Sequence, residues 1–215
     1  MKTGIMGGTF NPIHIAHLRV AEEARESCNL DRVIFVPASV PPHKPVKEEL
    51  SFALRCEMVR AAIEGNPFFQ ISTAEGERPG KSYSIDTISR FSIDYPDDEL
   101  FFITGSDSFL EISLWRSYAS LFALCDMIVV ERPGKLINDI MDAVPNEIRG
   151  RFSLESGISL IHESGHKVCF VSGALLDVSS SRIRELAAAG RSIKYLVPPG
   201  TEKYIKEKRI YKQCS

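Results

Sequence analysis

The chain has 215 residues, of which 44% are hydrophobic and 25% are charged, and its formal net charge at pH 7 is −2. This length predicts a single domain over residues 1–215, with enough apolar side chains to form a core without disulfide or metal support. The charge gives no reason to expect nucleic acid as a partner, so an anionic ligand would have to be held by a local cluster of hydrogen-bond donors.

The cysteines and the apolar runs indicate where the protein works. Its 5 cysteines are odd in number and include no C-x-x-C pair, so neither a disulfide framework nor a zinc site is expected. The first residues lack the long apolar stretch of a signal peptide, and no run is long enough for a membrane-spanning helix. We therefore expect a protein of the cytoplasm with reduced thiols.

Short apolar runs alternate with segments of helical periodicity along most of the chain. The predicted strands are 3–6, 32–37, 68–73, 100–104 and 127–131. Helices are predicted at 15–28 and 51–64, and from about residues 84 and 115. The tail, residues 179–215, is predicted to be a small helical part packed on the domain and broken around Pro198–Gly200, whereas 135–170 shows no legible pattern.

Strands separated by helices imply parallel crossovers, and hence an α/β fold with a doubly wound, mostly parallel sheet. Sheets of this kind bind ligands at the carboxyl ends of their strands, near the point where the strand order switches. The loops that follow the predicted strands are therefore the places to look for functional residues.

The first motif follows the first predicted strand directly and reads Gly-Gly-Thr-Phe-Asn-Pro-Ile-His-Ile-Ala-His-Leu over residues 7–18. Two glycines allow the backbone to turn sharply and to approach a ligand closely. The next helix is predicted to begin near His14, where its free N–H groups and positive dipole end would favour a phosphate. His14 and His17 are three residues apart, so both rings would lie on one side and could donate hydrogen bonds to phosphate oxygens. A zinc site is disfavoured, because no third ligand of matching spacing stands nearby.

This motif resembles that of the adenylyltransferases with the H-x-x-H nucleotidyltransferase fold, and most of all the bacterial nicotinate-nucleotide adenylyltransferases. The resemblance covers nearly the whole chain, least clearly from about residue 136 to 167. It implies a Rossmann-like nucleotidyltransferase that joins ATP, carried with Mg²⁺, to nicotinate mononucleotide. The attacking phosphate is already an anion, so catalysis can rest on positioning and charge stabilisation. His14 and His17 would bind the α-phosphate region, and the backbone of Gly8, Thr9 and Phe10 would hold a phosphate.

Three further segments resemble the pyridine-nucleotide side of that family. Residues 36–44 are similar to its P-P-H-K loop, in which His43 would meet the pyridine nucleotide and Lys44 a phosphate; a plain surface loop is the alternative. Residues 81–87 resemble its S-Y-T-x-D-T segment, with Ser84 in place of threonine at a helix start that could take the nicotinate carboxylate. Trp115, the only tryptophan, would stack on the pyridine ring.

The remaining resemblances concern the ATP side. Gly105 would end a strand close to the ligand, Asp107 would accept a hydrogen bond from a ribose hydroxyl, and Arg132 lies in an R-P-G turn that would frame the adenine. Near the C-terminus, Ser179, Ser180, Ser181 and Arg184 are similar to the family's I-S-S-T-x-I-R. This segment would use hydroxyls, free N–H groups and a guanidinium to hold the leaving pyrophosphate.

Several alternatives stay open at this point. The acceptor could be nicotinamide mononucleotide, and a regulator could keep the fold and bind nucleotides without turnover. Phosphopantetheine is disfavoured by residues 82–87 and Trp115, and a synthetase acting on transfer RNA would need extra domains and a basic surface. Asn11, where the bacterial enzymes usually carry aspartate, is expected to change little.

Overall fold

The computed structural model of the protein describes residues 1–42, 50–134, 137–173 and 176–211. Its strands are β1 (Lys2–Gly8), β2 (Arg32–Pro37), β3 (Phe69–Ile71), β4 (Glu99–Gly105), β5 (Asp126–Val130), β6 (Phe152–Ser156), β7 (Ser159–His162) and β8 (Lys167–Val171). Its helices are α1 (Ile15–Cys28), α2 (Phe52–Ile63), α3 (Ser84–Asp94), α4 (Ser106–Phe109), α5 (Tyr118–Leu121), α6 (Asn146–Arg149), α7 (Ser180–Ala188) and α8 (Pro199–Glu207). Within the described ranges, none of these helices combines the length and apolar character that crossing a bilayer requires.

The strands form one sheet in the order β3-β2-β1-β4-β5-β8-β7-β6. Strands β1 to β5 and β8 pair in parallel, whereas the β6–β7 and β7–β8 pairs are antiparallel. The strand order switches between β1 and β4, so the sheet is doubly wound and mostly parallel, as predicted. The carboxyl ends of β1 and β4 therefore lie side by side, at the place where such sheets bind ligands.

Apolar side chains are buried on both faces of the sheet. On β1, Met6 belongs to the core cluster that α1, α2, α7 and α8 cover, whereas its neighbour Ile5 belongs to the cluster on the opposite face, under α3 to α6. Strands that are covered on both faces carry continuous apolar runs. This is why the central strands could be predicted from the sequence.

The helix that carries the histidine motif has its predicted bounds. It ends because Asn29 takes a left-handed conformation, with φ of 52°, and its N–H donates to the carbonyls of Arg25 and Glu26. Helix α3 likewise begins at Ser84, as predicted. Both helices therefore present their N-terminal ends to the edge of the sheet that the sequence indicated.

Two predicted boundaries are wrong. Trp115 ends a short 3-10 turn, and the helix predicted from about residue 115 begins at Tyr118 and lasts one turn. The tail is helical with a break, as predicted, but the break begins after Ala188 and has ended where Pro199 opens α8. A proline fits the first turn of a helix because the N–H it lacks would have no partner there.

The stretch without a legible pattern contains α6 and the last three strands. β6 is an edge strand in which only the first of five residues is buried, so it has no alternation of apolar and polar side chains. The tail packs on α2, where the buried Thr201 hydroxyl donates to the carbonyl of Met58 at 3.2 Å. The single-domain organisation over residues 1–215 stays a prediction.

Candidate active site

The two histidines of the first motif stack against each other at the start of α1. His14 is the N-cap residue, and its ring centroid lies 3.7 Å from that of His17, with 28° between the ring planes. The backbone N–H of His14 donates to Nδ1 of His17 at 3.2 Å. Because Nδ1 accepts this bond, a neutral His17 carries its proton on Nε2, which makes Nε2 a hydrogen-bond donor. The prediction that both rings share one side of the helix start is confirmed.

His14 is held in its neutral form. Its side chain is buried, and burial together with the charge of Arg132 lowers its pKa from 6.5 to about 3. Its Nδ1 atom is buried and makes no hydrogen bond within the described part of the chain. The His14 side chain faces the backbone N–H of His17 as in a capping box, so the helix start sets the orientation of this ring. A phosphate beside this ring would raise the pKa, because an anion favours the charged imidazolium.

The loop after β1 exposes its backbone while its aromatic side chain is buried. Phe10 is 2% exposed, and its ring contacts His17 at a centroid distance of 5.2 Å and Phe35 at 5.9 Å. Its φ of 50° is left-handed, so the chain turns sharply at this residue. Gly8 and Thr9 line the adjacent cleft, and the side chain of Phe10 supports the loop and the imidazole from behind.

A cleft of about 420 Å³ lies over the carboxyl ends of β1 and β4. Gly8, Thr9 and His17 line it on the β1 side, and Ser84 and Trp115 line it too. The cleft therefore joins the helix terminus predicted to bind phosphate to the residues predicted to bind the pyridine nucleotide.

Trp115 and the start of α3 form the part of the cleft that was predicted to bind the pyridine nucleotide. Trp115 is partly buried and meets Phe102 edge to face, with 5.8 Å between ring centroids and 90° between the planes. Ser84 is the first residue of α3, and Tyr83 caps that helix without a side-chain bond. The uncovered N–H groups at this terminus can donate hydrogen bonds to an anionic group.

Gly105, Asp107 and Arg132 meet at the end of β4. A Cβ on residue 105 would lie 2.5 Å from Oδ1 of Asp107 and 2.6 Å from Cδ of Arg132, so any larger residue would require these two side chains to shift. Arg132 lines the cleft and contacts the Asp107 carboxylate at 3.4 Å, and its backbone N–H donates to the Ser106 hydroxyl at 3.0 Å. The other carboxylate oxygen, Asp107 Oδ1, is buried and makes no hydrogen bond with the described residues. Asp107 is not among the residues that line the cleft, so its bond to a ribose hydroxyl stays a prediction.

The C-terminal serines lie against the first loop. Ser180 donates to the carbonyl of Pro12 at 2.8 Å, and Ser179 caps α7 by accepting the N–H of Arg182. Arg184 donates to the carbonyl of Asn11 at 2.8 Å and to the hydroxyl of Ser181 at 3.2 Å. This segment therefore braces the chain just before His14.

The chain carries Asn11 where the bacterial enzymes that it resembles usually carry aspartate, and the contacts of this side chain indicate what the difference changes. Its side-chain oxygen accepts the Tyr211 hydroxyl at 2.6 Å. A carboxylate oxygen could accept the same bond, so the expectation that Asn11 changes little is physically reasonable and stays a prediction.

Sequence reasoning missed several residues of this region, and two of its candidates lie outside the described residues. His43 and Lys44 fall in 43–49, which the structure does not describe. Glu75, Tyr83 and Arg116 line the cleft but belong to no phosphate-binding pattern. The one signal for Glu75 was a carboxylate in a segment flanked by glycine and alanine, which is too common to single out a residue.

Among residues 1–42, 50–134, 137–173 and 176–211, no group of three or more histidine, cysteine, aspartate or glutamate side chains is arranged to hold a metal ion.

The neutral His14 is expected to make the fold less stable in acid. The unfolded chain takes up a proton on this residue below about pH 6.5, whereas the folded protein does so only near its lowered pKa of about 3. The free energy of unfolding should therefore fall as the pH drops from 6.5 towards 3, and this residue should not affect its pH dependence above 6.5. The loss from this residue between pH 7 and pH 5 is at most about 2 kcal/mol.

Urea unfolding of the parent protein and of His14→Gln at the two pH values measures this effect. The parent should lose more stability than the variant between pH 7 and pH 5, since glutamine does not titrate. Equal losses in the two proteins would contradict a neutral, buried His14.

The fold and the stacked histidines at a helix terminus define a nucleotidyltransferase. In agreement, the model of the cytidylyltransferase-like family matches residues 5–186. The chain is 60% identical to a protein of Pelobacter propionicus named "Probable nicotinate-nucleotide adenylyltransferase", over 100% of both chains. It is 55% identical to a protein of the same name from Geobacter sp. strain M21, over 98% of each. The chain belongs to the family of the nicotinate-nucleotide adenylyltransferases.

Solved structures agree on the fold. The structure of Plasmodium falciparum nicotinic acid mononucleotide adenylyltransferase complexed with NaAD superposes with a TM-score of 0.76, at 20% sequence identity and over 98% of each chain. The same enzyme complexed with APC gives a TM-score of 0.73 at 19% identity, over 98% of this chain and 96% of that one. These likenesses confirm the α/β nucleotidyltransferase fold.

Proposed function

We propose that the protein transfers the adenylyl group of ATP to nicotinate mononucleotide, and that the products are nicotinate adenine dinucleotide and pyrophosphate, in NAD biosynthesis. The observation that carries the proposal is the single cleft that has Gly8, Thr9 and His17 beside it together with Ser84 and Trp115. A phosphate and an aromatic acid could bind side by side in that cleft. The names of the relatives support the same reaction. We also propose that the enzyme works in the cytoplasm, where cysteines such as its free Cys56 and Cys125 stay reduced.

The proposed reaction depends on hydrogen-bond donors that stabilise negative charge, and it needs no protein base. The 5′-phosphate of the mononucleotide is an anion at neutral pH and would attack the α-phosphorus of ATP in line with the departing pyrophosphate. Negative charge then grows on the oxygens of the α-phosphate and the leaving group. Nε2–H of His17 would donate to these oxygens, and Arg132 would add positive charge beside them. The helix terminus contributes less than the sequence indicated, because the N–H groups of Ile15 and His17 already donate to the carbonyls of Leu196 and His14.

ATP would arrive as its complex with a divalent cation, Mg²⁺, whose ligands would be mostly phosphate oxygens and water. In this proposal the ion belongs to the substrate. The residues braced against the first loop, Ser180 and Arg184, would lie on the side of the leaving pyrophosphate.

The pyridine ring would stack on Trp115, and its carboxylate would meet the N-terminus of α3 at Ser84. Replacing Trp115 with alanine is therefore expected to raise KM for nicotinate mononucleotide by about 10-fold, through the loss of stacking worth about 1–1.5 kcal/mol. KM for ATP should stay the same. Trp115→Phe should keep most of the affinity, because it retains a flat aromatic face. Steady-state kinetics with each substrate varied in turn would check this, and equal KM values in parent and alanine variant would make Trp115 a structural residue.

Pyrophosphate release tests the proposed function directly. The protein is incubated with ATP and Mg²⁺ and, in parallel, with nicotinate mononucleotide or its amide. A clear preference for the acid would support the proposal, and activity mainly on the amide would move the substrate to nicotinamide mononucleotide. Release with neither would leave a nucleotide-binding protein without this turnover and would contradict the proposal.

A further inference from the structure

Arg55 is a buried arginine on α2, only 1% exposed, whose guanidinium binds backbone carbonyls. Its Nε donates to the carbonyl of Leu50 at 3.0 Å, and its Nη2 donates to that of Ser39 at 3.2 Å. Its Nη1 donates to the carbonyl of Thr9 at 2.8 Å and to that of Ala38 at 2.6 Å. A charged group is buried only where its donors find such partners. Here the partners come from the loop after β1, the loop after β2 and the start of α2.

The bond to Thr9 fixes the loop that the proposed function gives to phosphate. A trans peptide unit holds its C=O and the next N–H in opposite directions. When Arg55 holds the Thr9 carbonyl, it therefore also fixes the direction of the Phe10 N–H. Hydrogen bonds from a guanidinium are among the stronger ones in proteins, so the loop has little freedom to turn.

The same network continues to the pyridine side of the cleft. The peptide unit whose Ala38 carbonyl Arg55 holds donates its N–H, that of Ser39, to the Ser82 hydroxyl at 2.9 Å and to Oε2 of Glu75 at 3.3 Å. The Thr87 hydroxyl donates to the other oxygen of Glu75 at 2.5 Å. Glu75 and Thr87 are both buried, and Thr87 lies one turn after Ser84 in α3. Hydrogen bonds thus connect the phosphate loop to the helix that begins at the pyridine subsite.

We propose that Arg55 and Glu75 are positioning residues, which hold the two substrate subsites at the separation and angle that in-line transfer requires. The inference rests on the proposed function, because it takes the loop after β1 as the ATP side and the start of α3 as the pyridine side. Reacting atoms must meet at about 3–3.5 Å with aligned orbitals, and a misplacement of about 1 Å can cost about 10²-fold in rate. Neither residue needs to touch the reacting atoms to have this effect.

A role in folding alone would give a different result, and the chain offers a matched control. Thr201 is fully buried and donates to Met58 on the same helix α2, but it lies on the α8 side of the helix, away from the cleft. Thr201→Val removes one buried hydrogen bond from α2 without touching the loops at the active site. Comparison with Thr201→Val therefore distinguishes a loss of stability in α2 from a loss of alignment between the two subsites.

The test compares Arg55→Lys, Glu75→Gln, the double variant and Thr201→Val with the parent protein. Thermal unfolding is recorded first, and pyrophosphate release is then measured well below the lowest melting temperature, with ATP, Mg²⁺ and nicotinate mononucleotide. Each single variant should lose about 10²-fold in kcat, with the KM of each substrate within about threefold of the parent value. The double variant should lose little more than either single one, because both changes break the same connection. Thr201→Val should melt at a lower temperature and keep its kcat.

Other outcomes overturn the inference. It fails if kcat of the Arg55 and Glu75 variants stays within about threefold of the parent, if their effects multiply, or if Thr201→Val loses as much rate. If Arg55→Lys does not fold, Glu75→Gln and Thr87→Val carry the same test from the other end of the network. A parent active on nicotinate mononucleotide with equally active variants refutes this inference alone, whereas a parent inactive with both mononucleotides refutes the proposed function and this inference with it.

Discussion

Replacing His17 with alanine should lower kcat by about 10²- to 10³-fold and leave the protein folded. The ring lines the cleft, and its Nδ1 is already used by the backbone N–H of His14. Its Nε2–H is therefore the atom that can donate to a phosphate oxygen as charge develops. Such donors act most strongly in the transition state, so kcat should fall more than KM rises.

Two further substitutions separate the functions of the two nitrogens of His17. Glutamine can place an N–H near the position of Nε2, whereas asparagine can place an oxygen near Nδ1 and so keep the bond from His14. If the donor at Nε2 carries catalysis, His17→Gln should be faster than His17→Asn. Arg19→Ala is the matched control and should keep the parent rate, because Arg19 is an exposed residue on the same helix that forms a surface ion pair with Glu23. An asparagine variant faster than the glutamine variant would show that His17 acts by capping the helix.

The parts of the fold that could be predicted are those in which local pattern and tertiary environment agree. α1 has a glycine turn before it and a left-handed Asn29 after it, and the central strands are apolar throughout because both faces are covered. The β6 edge strand could not be predicted, because it exposes most of its residues and its pairing is antiparallel. Its partner strand, β7, begins only three residues further on and is buried at three of its four residues, so it does not show a period of two either.

The residues of the candidate site could likewise be predicted only where a local sequence pattern marks them. His14 and His17 were visible because one short motif contains both the loop and the helix start. Arg55 and Glu75 were not, because each meets its partners through backbone atoms or hydroxyls of distant segments. A backbone carbonyl carries no sequence signature, so an arginine that binds four of them looks like any arginine on an amphipathic helix.

Arg184→Ala should lower kcat/KM for ATP by about 10²-fold, through the loss of a cation and of a brace on the first loop. The guanidinium donates to the Asn11 carbonyl and to the Ser181 hydroxyl. If it also meets the leaving pyrophosphate, its charge adds to the stabilisation of the transition state. Arg184→Lys should recover part of the rate, since it keeps the charge but not the planar fork. Initial rates over a range of ATP concentrations would measure both variants.

Tyr211→Phe shows whether the brace or the charge matters more. It removes the hydrogen bond from Tyr211 to the side chain of Asn11 and leaves Arg184 in place. If the positive charge of Arg184 is what matters, Tyr211→Phe should lower kcat/KM for ATP by less than about fivefold. Salt screens an ion pair between Arg184 and ATP, so KM for ATP should depend on salt concentration in the parent and in Tyr211→Phe, and this dependence should be lost only in Arg184→Ala. Equal losses in Tyr211→Phe and Arg184→Ala would instead assign Arg184 to the support of residues 11 and 12. Arg184 would then affect catalysis by fixing the position of the neighbouring His14.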